Sequence, residues 1–142
     1  MQTRLGVLLI ATLCLSCGEQ KKIKECNALV AVINSGVEKV QKGTSGSPDG
    51  GTAVADLKSL AQEMDAIGKE AAGVELSLPE LQRLNKDYQA MITEVATAAR
   101  ELAGAVDNVD VEKMSKAQER MDQAVKREDP IVDEINKYCR TP

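Results

Sequence analysis

Apolar residues recur along most of this chain at alternating three- and four-residue steps. Ile23, Cys26, Val30, Ile33, Val37 and Val40 keep that rhythm, as do Ala53, Leu57, Leu60, Met64, Ile67, Ala71 and Val74. A third series runs Leu81, Leu84, Tyr88, Met91, Val95, Ala98, Leu102 and Ala105. Each lays one apolar stripe along a helix, with Lys, Glu, Gln and Asp on the opposite face. The fourth series is less regular: Val111, Met114, Ala117, Met121 and Val125, then Val132, Ile135 and Cys139. It lapses around Glu128, beside Pro130. Proline inside a helix removes one backbone hydrogen bond and clashes with the preceding turn. The pattern therefore predicts a kink or restart at Pro130, with Asp129 capping the restart. No segment alternates with period two over strand length, so no sheet is expected.

The breaks are as readable as the stripes. Gly43–Thr52 (GTSGSPDGGT) is a run of turn formers with nothing to bury and reads as a flexible loop. Ser77-Leu78-Pro79-Glu80 has the serine-to-glutamate spacing of a capping box, with proline in the first turn. Asp107-Asn108-Val109-Asp110 supplies a stop for one helix and an N-cap for the next. The resulting helices cover about 21–42, 53–74, 79–106 and 110–139. They predict an all-α, antiparallel up-down-up-down four-helix bundle with coiled-coil-like packing. A parallel coiled-coil oligomer is the rival, and the tight link at Ser77–Glu80 favours antiparallel neighbours in one chain. Ile92, Leu29 and Val32 fall beside the stripes and leave open a homodimer through leftover apolar surface.

Composition narrows the chemistry. The chain has 142 residues, enough for one ordinary domain, and contains no His, Phe or Trp and only two Tyr. Without His there is no Ser–His or Cys–His nucleophile pair and no imidazole ligand for a metal. A net charge of −4 and the lack of stacking rings argue against a nucleic-acid partner. No Gly-x-Ser-x-Gly elbow, Cys-x-x-Cys pair or phosphate-cradling loop occurs. Asp107, Asp110 and Glu112 resemble a fragment of a calcium loop but lack its glycine and terminal bidentate Glu, and read as helix caps. No two carboxylates on the core faces suggest a glycan hydrolase. The expectation is a protein that is not an enzyme, with no catalytic residue, cofactor or metal site. Glu128 on a core face and the methionines Met64, Met91, Met114 and Met121 are weaker candidates, a buried carboxylate and a Met-lined groove. A fraying position and ordinary packing are their plainer readings.

The N-terminus reads as an address. Met1–Arg4 carries one positive charge, and Leu5–Leu13 is an apolar run too short to span a membrane, ending at Cys14-Leu15-Ser16-Cys17. This segment resembles the signal peptide of a bacterial lipoprotein, in which a small residue precedes the acylated Cys. Ser16-Cys17 fits, while Cys14 departs from the aliphatic residue preferred three positions earlier. An ordinary secretory signal is the plainer alternative. The resemblance implies residues 1–16 as signal peptide, a diacylglycerol and an amide-linked acyl chain on Cys17, 17–20 as anchor and short linker, and 21–142 as ectodomain. Gly18 after the Cys favours the outer membrane over the inner in enterobacteria-like systems. Lys21, Lys22 and Lys24 would then face anionic headgroups.

If cleavage precedes Cys17 and lipid occupies it, Cys26 and Cys139 remain. An oxidising envelope makes a disulfide between them the natural expectation, since both lie on apolar stripes and an up-down-up-down bundle brings its two ends together. Two buried, unpaired thiols are the alternative. The functional expectation is a lipid-anchored, non-catalytic binding or scaffold module of the cell envelope, with an envelope protein as partner at the distal loop Gly43–Thr52. A small-molecule sensor, binding its ligand between helices, is the alternative function.

Overall fold

The computed structural model describes residues 16–44 and 53–141. Residues 1–15, which hold most of the expected signal segment, positions 45–52 of the glycine-rich connection and residue 142 lie outside the described residues. Five helices follow one another: α1 (Ser16–Thr44), α2 (Ala53–Ala72), α3 (Pro79–Asp107), α4 (Val111–Val125) and α5 (Glu128–Arg140). There is no strand among the described residues. The architecture is an all-α four-helix bundle, with α4 and α5 together forming its fourth rod. α3 is the central rod, packing on α2, α4 and α5 and more lightly on α1. Its buried face is accordingly wider than one stripe, adding Asn85, Ile92, Ala96, Ala99 and Ala103 to the expected residues.

The fourth rod breaks at Lys126–Arg127, ahead of Pro130 rather than at it. The physical reason is the proline's reach. Its ring clashes with the carbonyl four residues earlier, at Lys126, and its missing N–H is harmless only in a first turn. Pro130 therefore sits in the first turn of α5. Asp129 does not cap the restart: Arg127 occupies the N-cap without a side-chain bond.

α1 departs from expectation at its start and in its rotation. It begins at Ser16, so positions 17–20 are helical and not a linker. Its buried positions are Glu25, Cys26, Leu29, Ile33 and Gly36, whereas Ile23 and Val37 are 56% and 37% exposed. The three-four rhythm survives, turned by about one residue, because Gly36 replaces Val37 on the inner face. A Cβ at Gly36 would lie 3.0 Å from Ile67 Cγ2 and 3.3 Å from the Tyr88 hydroxyl, so glycine lets α1 approach that closely. The same rotation buries Leu29 completely, and Ile92 is buried too. Of the three residues named for a homodimer surface, Leu29 and Ile92 are core and Val32 is half-buried against it.

The connection between α2 and α3 also differs from the expected capping box. Leu78 is the N-cap, with no side-chain bond of its own. Instead the buried carboxylate of Glu25 on α1 reaches across. It accepts from the backbone N–H of Ser77 (2.9 Å) and Leu78 (3.0 Å) and from the Ser77 hydroxyl. Glu80 pairs with Arg83 instead, at 2.7 Å. Burial alone would raise the Glu25 pKa; the bonds from Ser77 and Leu78 outweigh it and hold the carboxyl below its ordinary value. Buried Asn85 donates to the Ala71 carbonyl at 2.8 Å and closes the end of α2. The α3–α4 turn holds Val109 at φ 54°, a left-handed conformation that costs a β-branched residue roughly 1–2 kcal/mol. Asp110 caps α4 as expected, accepting from Lys113 N–H at 3.0 Å.

Candidate functional site

Cys26 and Cys139 form a disulfide across α1 and α5, with Cα atoms 5.8 Å apart and a sequence separation of 113. It ties the ends of the described chain into one base. Around it Lys22 donates from Nζ to the Thr141 carbonyl at 2.7 Å and lies 4.4 Å from the centre of the Tyr138 ring. Lys22, expected to face headgroups, is therefore committed to the C-terminal end of the bundle. The side chain of Cys17 lies outside what the structure describes. Ten residues of helix separate Ser16 from Cys26, so α1 projects about 15 Å past the disulfide along its axis at 1.5 Å per residue.

Beyond the base, α1 and the fourth rod part. α1 packs along α2 and touches α5, but makes no extended contact with α4. Between them lies a cavity of about 270 Å³ that opens to solvent. Four rods contribute to it. Gly36, Val37 and Val40 come from α1; Leu60, Met64 and Ile67 from α2; Tyr88, Met91, Ile92 and Val95 from α3; Met121, Val125 and Glu128 from the fourth rod. The apolar walls follow directly from the stripes. The opening follows from Gly36 and from the break after Val125, which turns Glu128 inward at the start of α5.

Three polar side chains, Gln41, Tyr88 and Glu128, line this otherwise apolar space. Tyr88 is buried, and its hydroxyl pKa is pushed up to about 12, first by burial and then by the negative charge of Glu128. Glu128 is half-buried, and burial followed by neighbouring Asp129 raises its carboxyl pKa. The Glu128 carboxylate takes part in no ion pair or hydrogen bond with the described residues, while adjacent Arg127 faces Glu94 at 3.9 Å. Elsewhere several surface charges are paired. Arg100 pairs with Asp65, Arg120 with Glu101, Lys58 with Asp107 and Lys116 with Glu112. Asp107, Asp110 and Glu112 are thus distributed among an ion pair, a cap and a second ion pair. No cluster of three metal-binding side chains occurs among the described residues.

No protein-family model, curated protein or solved structure matches this chain. What it does must be argued from its own geometry.

That geometry assembles candidates the sequence left scattered. Met64, Met91 and Met121 share the cavity with Glu128 and Tyr88, while Met114 does not line it. A fraying Glu128 would point to solvent; this one lines the cavity wall. Glu25 is a structural residue that the sequence pattern did not single out. Its signal was the spacing to Leu29 and Val32, four and seven residues on, which puts it on a buried helix face. Asn85 gave no comparable signal, because a lone amide beside a stripe reads as surface.

Proposed function

We propose that this protein is a lipid-anchored component of a bacterial envelope, whose disulfide-tied bundle is a non-catalytic binding module. The observation that carries the reading is the Cys26–Cys139 pair. A disulfide persists in an oxidising compartment and is rare in a reducing one, which agrees with an export signal ending at Cys17. The cysteine left over by that pairing and by signal removal is the one the lipoprotein pattern acylates. The anchor would sit in the first turn of α1, so the bundle would stand on a helical stalk and not a loose tether. Confinement at a membrane raises the effective concentration of the bundle for partners there. No helix among the described residues is long and apolar enough to cross a membrane.

Intact mass of protein extracted from native membranes, with and without reduction before thiol alkylation, tests the reading. The expected mass is that of residues 17–142 plus acyl chains and less two hydrogens, with two alkylated thiols appearing only after reduction. An unlipidated mass with free thiols overturns it. A second reading, a ligand-binding bundle, is favoured by one specific observation: the cavity between α1 and the fourth rod. It is compatible with the first.

A further inference from the structure

We propose that the cavity between α1 and the fourth rod binds a hydrophobic monocation, an apolar body carrying one ammonium group, with the cation set between Glu128 and Tyr88. The proposal rests on the reading of the bundle as a binding module and is independent of the lipid anchor. Three observations converge on that ligand class. The walls are apolar and come from all four rods, so they offer contact area to an aliphatic or aromatic body and little to a sugar or nucleotide. Met64, Met91 and Met121 are among them, and unbranched thioether side chains adapt to ligands of differing outline. Among the described residues that line it, Glu128 carries the one formal charge, a carboxylate with no ion-pair or hydrogen-bond partner among them, and Tyr88 adds an aromatic ring.

A carboxylate held partly out of water without a partner is disfavoured, as the upward shift of the Glu128 pKa records. A cation supplies the missing partner. Tyr88, which lines the same cavity, adds an aromatic ring, and such rings attract a positive charge. An anion would meet the negative charge of Glu128 and is disfavoured. A neutral ligand would fill the walls and leave Glu128 as it is. The volume of about 270 Å³ equals roughly nine water molecules at about 30 Å³ each, which fits a single-ring or short-chain amine.

The test uses benzyltrimethylammonium and its uncharged carbon isostere neopentylbenzene, added to the intact oxidised protein. Binding is followed by calorimetry and by tyrosine fluorescence, which no tryptophan obscures. The cation should bind with at least about ten times the affinity of the isostere. Glu128→Gln should remove that advantage, weakening the cation about tenfold or more and leaving the isostere within about twofold. Asp129→Asn, at the exposed neighbour, should change either affinity by no more than about twofold. Melting curves establish that each variant is folded. Equal affinity for the two probes, an unchanged cation affinity in folded Glu128→Gln, or no cation binding up to about 10 mM would each overturn the proposal. Because the intact-mass measurement reads only the anchor and the cysteines, failure of either idea leaves the other standing.

Discussion

On α1, Leu29 is completely buried and Val37, eight residues further on, is 37% exposed. The two stand on the same helix, yet they face different surroundings. Near Leu29, α1 is gripped from both sides: the disulfide fastens it to α5, and Glu25 fastens it to the α2–α3 connection. Near Val37, α2 and the Tyr88 side of α3 cover one flank, and the other looks across the cavity toward Met121 and Val125. Apolar periodicity is equally good in both halves. The difference comes from what stands opposite. A straight fourth rod would have continued along α1, but the break before Pro130 ends that contact. The base is closed and tied by the disulfide, whereas the upper half leaves an open cavity.

The largest effect expected from disturbing this contrast is at the base. Replacing Cys26 and Cys139 by Ser should cost about 4–5 kcal/mol in urea unfolding, since the link closes a loop of over a hundred residues. A loss below about 1 kcal/mol would mean that the base is held by packing alone. Next comes the packing contrast itself. Leu29→Ala should cost about 2–5 kcal/mol, while Met121→Ala on the cavity wall should cost less than about 1 kcal/mol, because no closed void is created there. Similar losses at the two sites would erase the distinction between closed base and open groove.

Smaller effects carry a sign. Glu25→Gln should cost about 1–2 kcal/mol at neutral pH by weakening charge-assisted bonds to Ser77 and Leu78. The folded-state pKa of Glu25 lies below its ordinary value of 4.5, so its stabilisation is complete above that value and is lost as pH falls through the folded pKa. The cost of Glu25→Gln should shrink accordingly below pH 4.5. Glu128 runs the other way. Its folded pKa lies above 4.5, so the protonated group favours the fold, and that advantage fades as pH rises through the folded value. Glu128→Gln should therefore raise stability slightly at neutral pH and do nothing well below pH 4.5. Denaturant melts at several pH values separate the two carboxylates by opposite slopes.

Much of the fold was legible in the sequence. Period-3.6 stripes and the turn formers between them located every rod, and the placement of Cys26 and Cys139 at opposite ends of the pattern matched an antiparallel bundle. The rotation of α1 was not legible. Val30 and Val37 looked like better core residues than Leu29 and Gly36, and only the close approach to Ile67 and Tyr88 makes glycine the inner residue. Local spacing also suggested that Ser77 and Glu80 cap each other; a partner 52 residues away, Glu25, takes the serine instead. Glu128 was visible as a carboxylate on a core face. What it faces depends on where the fourth rod breaks, a tertiary outcome that a single helical pattern does not encode.

Hydrogen exchange on the oxidised protein, resolved by peptide along α1, tests the closed-base and open-groove account most directly. Amides from Cys26 to Ile33 should be protected to nearly the level of the central helix α3, and those from Val37 to Lys42 should exchange at least about a hundredfold faster. Uniform protection along α1 would contradict it: the upper half would then be as firmly packed as the base, with no opening for a ligand to enter.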